Sequence, residues 1–451
     1  MRRLIPPLVL CLAFAVGCRA PAPEPTESEE ATPELPLDSR ITALVASISD
    51  ERLQSMLQKL VSFETRHLAS NPDPSGEGIG AAREWILQEF RSFSPKLQVS
   101  FDAYRVAPQG LRILKEVDLR NVMAVLPGRS PRRIYLSGHY DSIARLVNPP
   151  ESAGPAGPAG IHWNMPDVPA PGANDDGSGT VLTMELARVF AQSGIDFDAT
   201  LVFIAFAGEE EGLTGAHLHA ERALQEKAVI EAVFNNDIVG GSAGANGTAN
   251  TDTVRLFSEG PEDSPSRQVA RHVGKEAARY VPDHRVALVA RYDRFLRGGD
   301  HIAFNQRGFA AVRFTEANEN NAEQHRVEDT IDHVSFPYLA RNARVNAAGV
   351  ATLALAPPAP AVIYGTVLPL SKLTWKESPG AASYRVYRRQ AWPMDWQDVV
   401  SVGNITEFTL PGISTDDNVF GVSAVDANGH ESLVSAWVNP PRANTTIRTL
   451  P

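Results

Sequence analysis

Five short segments within residues 138–330 gather the histidines and carboxylates that could bind a divalent metal. They are Gly138-His139-Tyr140-Asp141-Ser142, Gly172-Ala173-Asn174-Asp175-Asp176-Gly177-Ser178-Gly179, Gly208-Glu209-Glu210-Glu211-Gly212, Asn235-Asn236-Asp237 and Gln324-His325. Each alone has a plainer reading. A lone histidine after a strand is commonly a surface or core residue, and an acidic triplet is commonly a solvated turn. Here the triplet follows a fully apolar run and is bounded by glycines, which argues against a helix face. The Gly177-Ser178-Gly179 stretch could cradle a phosphate, but no lysine follows it as a P-loop requires. Carboxylates gathered at one place would repel one another unless cations sat among them. Two imidazoles and three carboxylates form an N/O donor set that suits zinc. The only cysteines are Cys11 and Cys18, so the folded body has no thiolate metal site and no disulfide framework.

The segments gain meaning from the elements that must carry them. Residues 133–138 read as a strand, residues 180–192 as a helix and residues 201–206 as a strand apolar on both faces, the pattern of a strand buried inside a parallel sheet. Strand, helix, strand is a βαβ unit and predicts a mixed α/β sheet. Residues 97–104 and 121–126 are further extended runs, and residues 39–95 read as largely helical from apolar residues three and four apart. Four of the five segments fall where an expected strand ends. In open α/β sheets the carboxyl ends of the strands line one edge, where ligands bind. His139, Asp175, Glu209, Glu210, Asp237 and His325 are therefore expected to meet in space. Residues 143–171 interrupt the unit with a Pro/Gly/Ala-rich loop, long enough to be functional or mobile. After Pro357-Pro358-Ala359-Pro360 the composition turns to short β-type runs and turn residues, which predicts a β-sandwich over residues 361–442.

These motifs, in this order, resemble metallopeptidase family 28, the cocatalytic dizinc exopeptidases related to bacterial leucyl aminopeptidases. The resemblance covers about residues 39–356. It implies a mostly parallel central sheet with helices on both faces, and two Zn2+ per chain. By the carry-over one zinc takes His139, Asp175 and Asp237, and the other takes Asp175, Glu210 and His325. Glu209 takes the place of the general base. Asp141 takes that of the carboxylate that accepts the other N–H of His139 and fixes its tautomer. Gly299-Asp300-His301 matches another motif of the family, either a structural turn or a substrate-positioning element. Two departures bear on side-chain preference: Gln324 stands where some members have a tyrosine, and the 143–171 loop is longer than in compact members. The C-terminal segment resembles fibronectin type III modules, through Leu373-Thr374-Trp375, residues 384–388 and residues 420–426. Trp375 and Tyr384 are expected in its core.

The resemblance implies an aminopeptidase acting on peptide or protein N-termini. A carboxypeptidase or a glutaminyl-cyclase-like enzyme on the same scaffold is the alternative, and a non-catalytic peptide-binding protein is the alternative from another class. The formal net charge is −11, which argues against nucleic acid as a partner. Arg2 and Arg3, a short apolar run and Gly17-Cys18 read as an export signal over residues 1–17. Ala15-Val16-Gly17-Cys18 resembles a bacterial lipobox. It predicts a lipid anchor on Cys18 as the chain's sole attachment to a membrane of the cell envelope, the other outcome being plain cleavage near Ala13-Phe14-Ala15 and a periplasmic or secreted chain. Residues 18–38 are Pro/Glu-rich and read as a disordered tether.

Overall fold

The structure, a computed structural model, describes residues 36–145, 162, 165–366, 371–393 and 395–437. The expected export signal, Cys18 and nearly all of the tether lie outside these residues, as do residues 146–161 of the long loop. Contacts divide the chain into residues 1–36 and residues 37–451, and every described helix and strand lies in the second unit.

Two short helices open it, α1 (Ser39–Ala46) and α2 (Asp50–Val61). Each starts where a side-chain oxygen accepts a free backbone N–H: Asp38 from Arg40, Ser49 from Arg52. The helical expectation over residues 39–95 fails between α2 and α3 (Ile79–Phe93). Pro72, Pro74, Gly76 and Gly78 fall in that link, where proline removes donors and glycine favours turns. An antiparallel pair follows, β1 (Gln98–Val106) and β2 (Val117–Leu126). Then come β3 (Arg133–His139), α4 (Ser178–Gln192), β4 (Thr200–Phe206), α5 (Thr214–Gln225) and β5 (Ile230–Asn236). The domain is completed by β6 (Thr253–Ser258), α6 (Pro265–Tyr280), β7 (Arg285–Val289), α7 (His301–Asn305), β8 (Ala311–Glu316) and α8 (Phe336–Leu355).

These strands form one eight-stranded sheet in the order β1-β2-β4-β3-β5-β8-β6-β7. The four central strands, β4, β3, β5 and β8, run parallel, and β2 and β6 flank them antiparallel. The expected α/β fold, mostly parallel with helices on both faces, is what the chain adopts. From Leu201 to Phe206 every residue of β4 is buried, because helices cover the sheet on both sides. One face packs on α4, α6 and α8, with Val181, Leu186, Val273 and Leu353 in its core. The other packs on α5 and α7 through Ala216, Ala220, Ala303 and Phe304. Burying the Val, Leu and Phe side chains contributes roughly 1.5–3 kcal/mol each, and the alanines less.

Beyond α8 two antiparallel sheets face each other. One has three strands, β9 (Val362–Thr366), β10 (Ser371–Trp375) and β13 (Glu407–Leu410). The other has four, β11 (Ser383–Gln390), β12 (Asp398–Gly403), β14 (Asn418–Val425) and β15 (Ser435–Trp437). Leu373, Trp375, Tyr384, Val386, Phe420 and Val422 fill the space between them. This sandwich is docked on the α/β domain. Leu433 is buried in the main core, and Trp396 Nε1 donates to Gln268 Oε1 of α6 at 3.2 Å. Glu431, buried just past β14, takes Lys275 of α6 and Arg385 of β11 at 2.6 Å each. Its other oxygen accepts from Ser423 Oγ at 2.5 Å and from the Tyr387 hydroxyl. Although burial opposes its charge, Lys275 and Arg385 hold the Glu431 carboxyl down at about 2.

Candidate metal centre

The carboxyl ends of the central strands deliver the singled-out residues to one place. His139 is the last residue of β3, Glu209 and Glu210 follow β4, Asp237 follows β5, and His325 lies in the loop after β8. Asp175 sits in the turn Ala173–Gly177 that leads directly into α4, and its peptide bond to Asp176 is cis. Asp175 stands between the two imidazoles. Its Oδ1 lies 3.3 Å from His139 Nε2, and its Oδ2 lies 2.9 Å from His325 Nε2. Glu210 Oε1 is 3.0 Å from the same His325 nitrogen.

Among the described residues three groups of potential ligand atoms each fall within 4.8 Å: His139 with Asp175 and Asp237, Asp175 with Glu210 and His325, and His139 with Glu209 and Glu210. The first two are the triads expected from the sequence, and they share Asp175. All of these residues are buried except Glu209 and His325, which are half-buried. His139 Nε2 and Glu210 Oε1 are buried with no hydrogen-bond partner, although each faces charged neighbours. Buried groups left unpaired cost free energy. Two imidazoles, three carboxylates and these orphaned atoms fit zinc, a borderline ion that takes nitrogen and oxygen donors.

Electrostatics follow from the crowding. Burial raises Asp175, but His325 and His139 overcome it and hold the carboxyl well below its usual range. Burial opposes a charged His325, yet Glu210 and Asp175 keep it up at about 9. Burial and the Asp175 charge push Asp237 up to about 6, against the pull of His139. Glu209 is driven well above the carboxylate range by burial and by Glu210, Asp237 and Asp300. Such displaced carboxyls are common where acid–base chemistry is done.

Asp141 is placed differently from its sequence expectation. Its carboxylate accepts the backbone N–H of Glu209 at 3.2 Å and of Glu210 at 3.1 Å. His139 Nδ1 meets the Asp141 backbone carbonyl at 3.2 Å and is 3.6 Å from the carboxylate, beyond hydrogen-bond range. Its side chain therefore fixes the two-glutamate turn, while its carbonyl orients the ring. Gln324 donates from Nε2 to Asp175 Oδ2 at 2.6 Å, so it steadies the shared carboxylate.

Several positioning residues were not singled out in the sequence. Asp176 accepts from the backbone N–H of His139 at 2.9 Å, Gly179 at 2.9 Å and Ile238 at 3.2 Å, tying together β3, α4 and the end of β5. That junction is tight: a Cβ on Gly179 would lie 2.1 Å from Asn236 O, so the glycine serves close packing. Arg66, fully buried, donates to the carbonyls of Tyr140, Pro171 and Gly172 at 2.6, 2.6 and 2.9 Å, pinning the approach to Asp175. Asp329 accepts from the N–H of Asn174 at 2.9 Å and of Asp175 at 3.0 Å. Asp300, of the Gly299-Asp300-His301 motif, is buried with both carboxylate oxygens unpartnered and its pKa raised by burial. A cleft of about 310 Å³ opens beside Asp175, walled by Glu319, Glu323, Gln324, Asp329 and Asp332.

Residues 121–350 match the family model for peptidase family M28. A probable zinc metalloprotease of Pyricularia oryzae is 35% identical over 466 residues, spanning 93% of this chain and 88% of that protein. Among solved structures, the LapA aminopeptidase of Legionella pneumophila superposes with a TM-score of 0.54 at 18% identity, over 73% of this chain and 78% of its own. The glutaminyl cyclase of Macrostomum lignano does so with a TM-score of 0.54 at 18% identity, over 71% and 95%. The two structures share this fold and do not separate one chemistry from the other. The matched span holds all five expected ligand positions, and with a relative alike over nearly its whole length the chain is a member of peptidase family M28.

Proposed function

We propose that the chain is a dizinc exopeptidase that removes residues from peptide N-termini. The observation that carries this is Asp175, whose two oxygens face separate donor groups while the same side chain lines an acidic cleft. His139, Asp175 and Asp237 would hold one ion, and Asp175, Glu210 and His325 the other. Bound there, zinc supplies Lewis-acid polarisation of a carbonyl and a lowered pKa for water. Glu209 supplies the proton traffic: its carboxylate takes a proton from the attacking water and returns it to the departing amine nitrogen. It reaches the space beside His139 and Glu210 without belonging to either ligand triad. Asp141 keeps the adjacent Glu209 and Glu210 in their two roles by holding both backbone N–H groups.

Glu323 and Asp332 on the cleft wall, where Glu319 is already paired with Arg294 and Arg297, favour a substrate's ammonium end, which supports an aminopeptidase. The carboxypeptidase reading has one observation of its own. The Arg112 guanidinium donates to the Glu210 carbonyl, and Arg145 carries charge within Coulombic reach of Glu210 and Asp175, as a carboxylate-binding site would. One substrate panel separates them: free, N-acetylated and C-amidated versions of one peptide. The aminopeptidase reading requires loss of turnover on N-acetylation and tolerance of C-amidation; the reverse pattern overturns it. Rapid cyclisation of N-terminal glutamine without hydrolysis would instead assign a cyclase.

The remaining parts of the reading concern placement. The division of the C-terminal sandwich into three and four strands supports a fibronectin type III-like spacer with no chemistry of its own. We also propose export and a lipid anchor at Cys18. No helix among the described residues is long and apolar enough to cross a membrane.

A further inference from the structure

Arg313, in β8, has no exposed surface, and it touches the candidate centre through one residue. Its guanidinium lies between two buried carboxylates, 2.8 Å from Asp237 Oδ1 and 3.2 Å from Asp293 Oδ2. It also donates to the Gly298 carbonyl at 2.5 Å and the Asp237 carbonyl at 3.3 Å. The alternation of charge continues outward. Arg294 pairs with Asp293 at 3.1 Å and with Glu319 at 2.7 Å, and Arg297 pairs with Glu319 at 2.9 Å. Asp237 is thus the inner end of a chain of ion pairs that reaches the wall of the cleft. Glu210 stands in contrast, with Oε1 aimed among the ligand atoms, 3.0 Å from His325 Nε2, an imidazole that gives up its proton to bind an ion.

We propose that Arg313 makes the two cation sites unequal. It holds Asp237 as a carboxylate already shared with a cation, so the His139–Asp175–Asp237 site binds its ion more weakly and fills second. The Asp175–Glu210–His325 site fills first. This rests on the two-zinc reading of the same residues. The physical cause is direct. A guanidinium fixed on one carboxylate oxygen withdraws charge from the other and repels an arriving dication across a few ångströms of buried space. Asp175 is common to both sites, and an imidazole serves each, so the difference falls on Asp237 against Glu210. Changing the partner of a metal ligand commonly moves affinity by about 10–100-fold; the usual partner raises a ligand's basicity, whereas a guanidinium on a carboxylate lowers it, so a gap of that size is expected with the opposite sign. Arg313 acts only through Asp237 and is a positioning residue.

The test is a zinc titration of the metal-stripped full chain at fixed pH, followed by calorimetry and by competition with a chromophoric chelator. The expected result is two steps separated by about 10–100-fold. Asp237→Asn should remove the weak step and leave the tight one. Arg313→Met, which keeps volume and removes charge, should narrow the gap by tightening the weak step. Asp293→Asn, which strips the arginine of its other counter-ion, should widen the gap, and it stands as the independent variant if Arg313→Met does not fold. Two equal steps, loss of the tight step in Asp237→Asn, or weaker second-site binding in Arg313→Met each overturn the inference. A single step at one equivalent overturns the two-zinc reading itself.

Discussion

Glu431 gives the most quantitative prediction. Its carboxyl is nearly fully buried where the sandwich meets α6, and two cations at 2.6 Å hold it at about 2 against an ordinary value of 4.5. A group whose folded pKa is depressed stabilises the fold above its unfolded value, and that stability is lost as pH falls through the folded value. Two and a half units correspond to about 3 kcal/mol at neutral pH. Glu431→Gln keeps the shape but points an amide at Lys275 and Arg385. Lys275 remains close to half exposed and recovers some hydration, so about 2–3 kcal/mol should be lost. For a chain of this size that is roughly a 3 °C fall in the unfolding midpoint. The assay is thermal unfolding of the full chain and the variant between pH 7 and pH 2.5. The difference should be full above about pH 5 and shrink steadily toward pH 2. A gap that stays constant across that range, or no gap at pH 7, would refute the view that this carboxylate clamps the sandwich to the peptidase domain.

Four other outcomes are expected. Glu209→Gln should retain bound metal and lose about 10²–10⁴-fold in kcat, with KM little changed, whereas Glu210→Gln should lose metal and recover partly in excess zinc; metal content and kinetics measured side by side check the two roles. Stripping metal with a chelator should abolish turnover and lower the unfolding midpoint, and zinc should restore both, since an ion bound only by the folded chain stabilises it; an unchanged midpoint would count against a metal in the crowded centre. Because His325 is held near 9, zinc must displace a proton there at neutral pH, so zinc affinity should rise as pH increases from 6 to 8 in chelator-competition titrations. Cys18→Ser should shift the chain from the membrane to the soluble fraction, and unchanged fractionation would favour simple cleavage.

The sequence exposes the catalytic architecture unevenly. His139, Glu209, Glu210 and Asp237 are legible because they follow apolar runs whose ends mark the binding edge of a parallel sheet. Asp175 is legible because its flanking glycines announce a tight turn, and the structure shows why, with Gly179 pressed against the Asn236 carbonyl. The positioning residues are not legible in the same way. Arg313 stands inside a strand and Arg66 inside an irregular link, and nothing local distinguishes a buried arginine from a solvated one. Their partners lie far off in the chain: Arg66 reaches Gly172 and Arg313 reaches Asp237. Asp176, beside Asp175, carries no signal of its own, although its carboxylate joins three elements through their backbone N–H groups. The link over residues 62–78 shows the limit of periodicity, which registered the flanking helices and overlooked the prolines and glycines between them. Ion pairs across a domain boundary, such as Lys275 with Glu431, depend on a docking geometry that no local pattern encodes.

The placement of the ligands at the ends of separate strands has a consequence for how the chain matures. The first donor is His139 and the last is His325, and the strand that leads to the last, β8, sits beside β5 in the sheet. The expected His139–Asp175–Asp237 set is wholly made once β5 has been synthesised, whereas the Asp175–Glu210–His325 set is complete only after β8 and the loop beyond it. β8 must therefore join β5 before the second set closes, and the order in which the chain is made is the order in which the two expected ion sites become available.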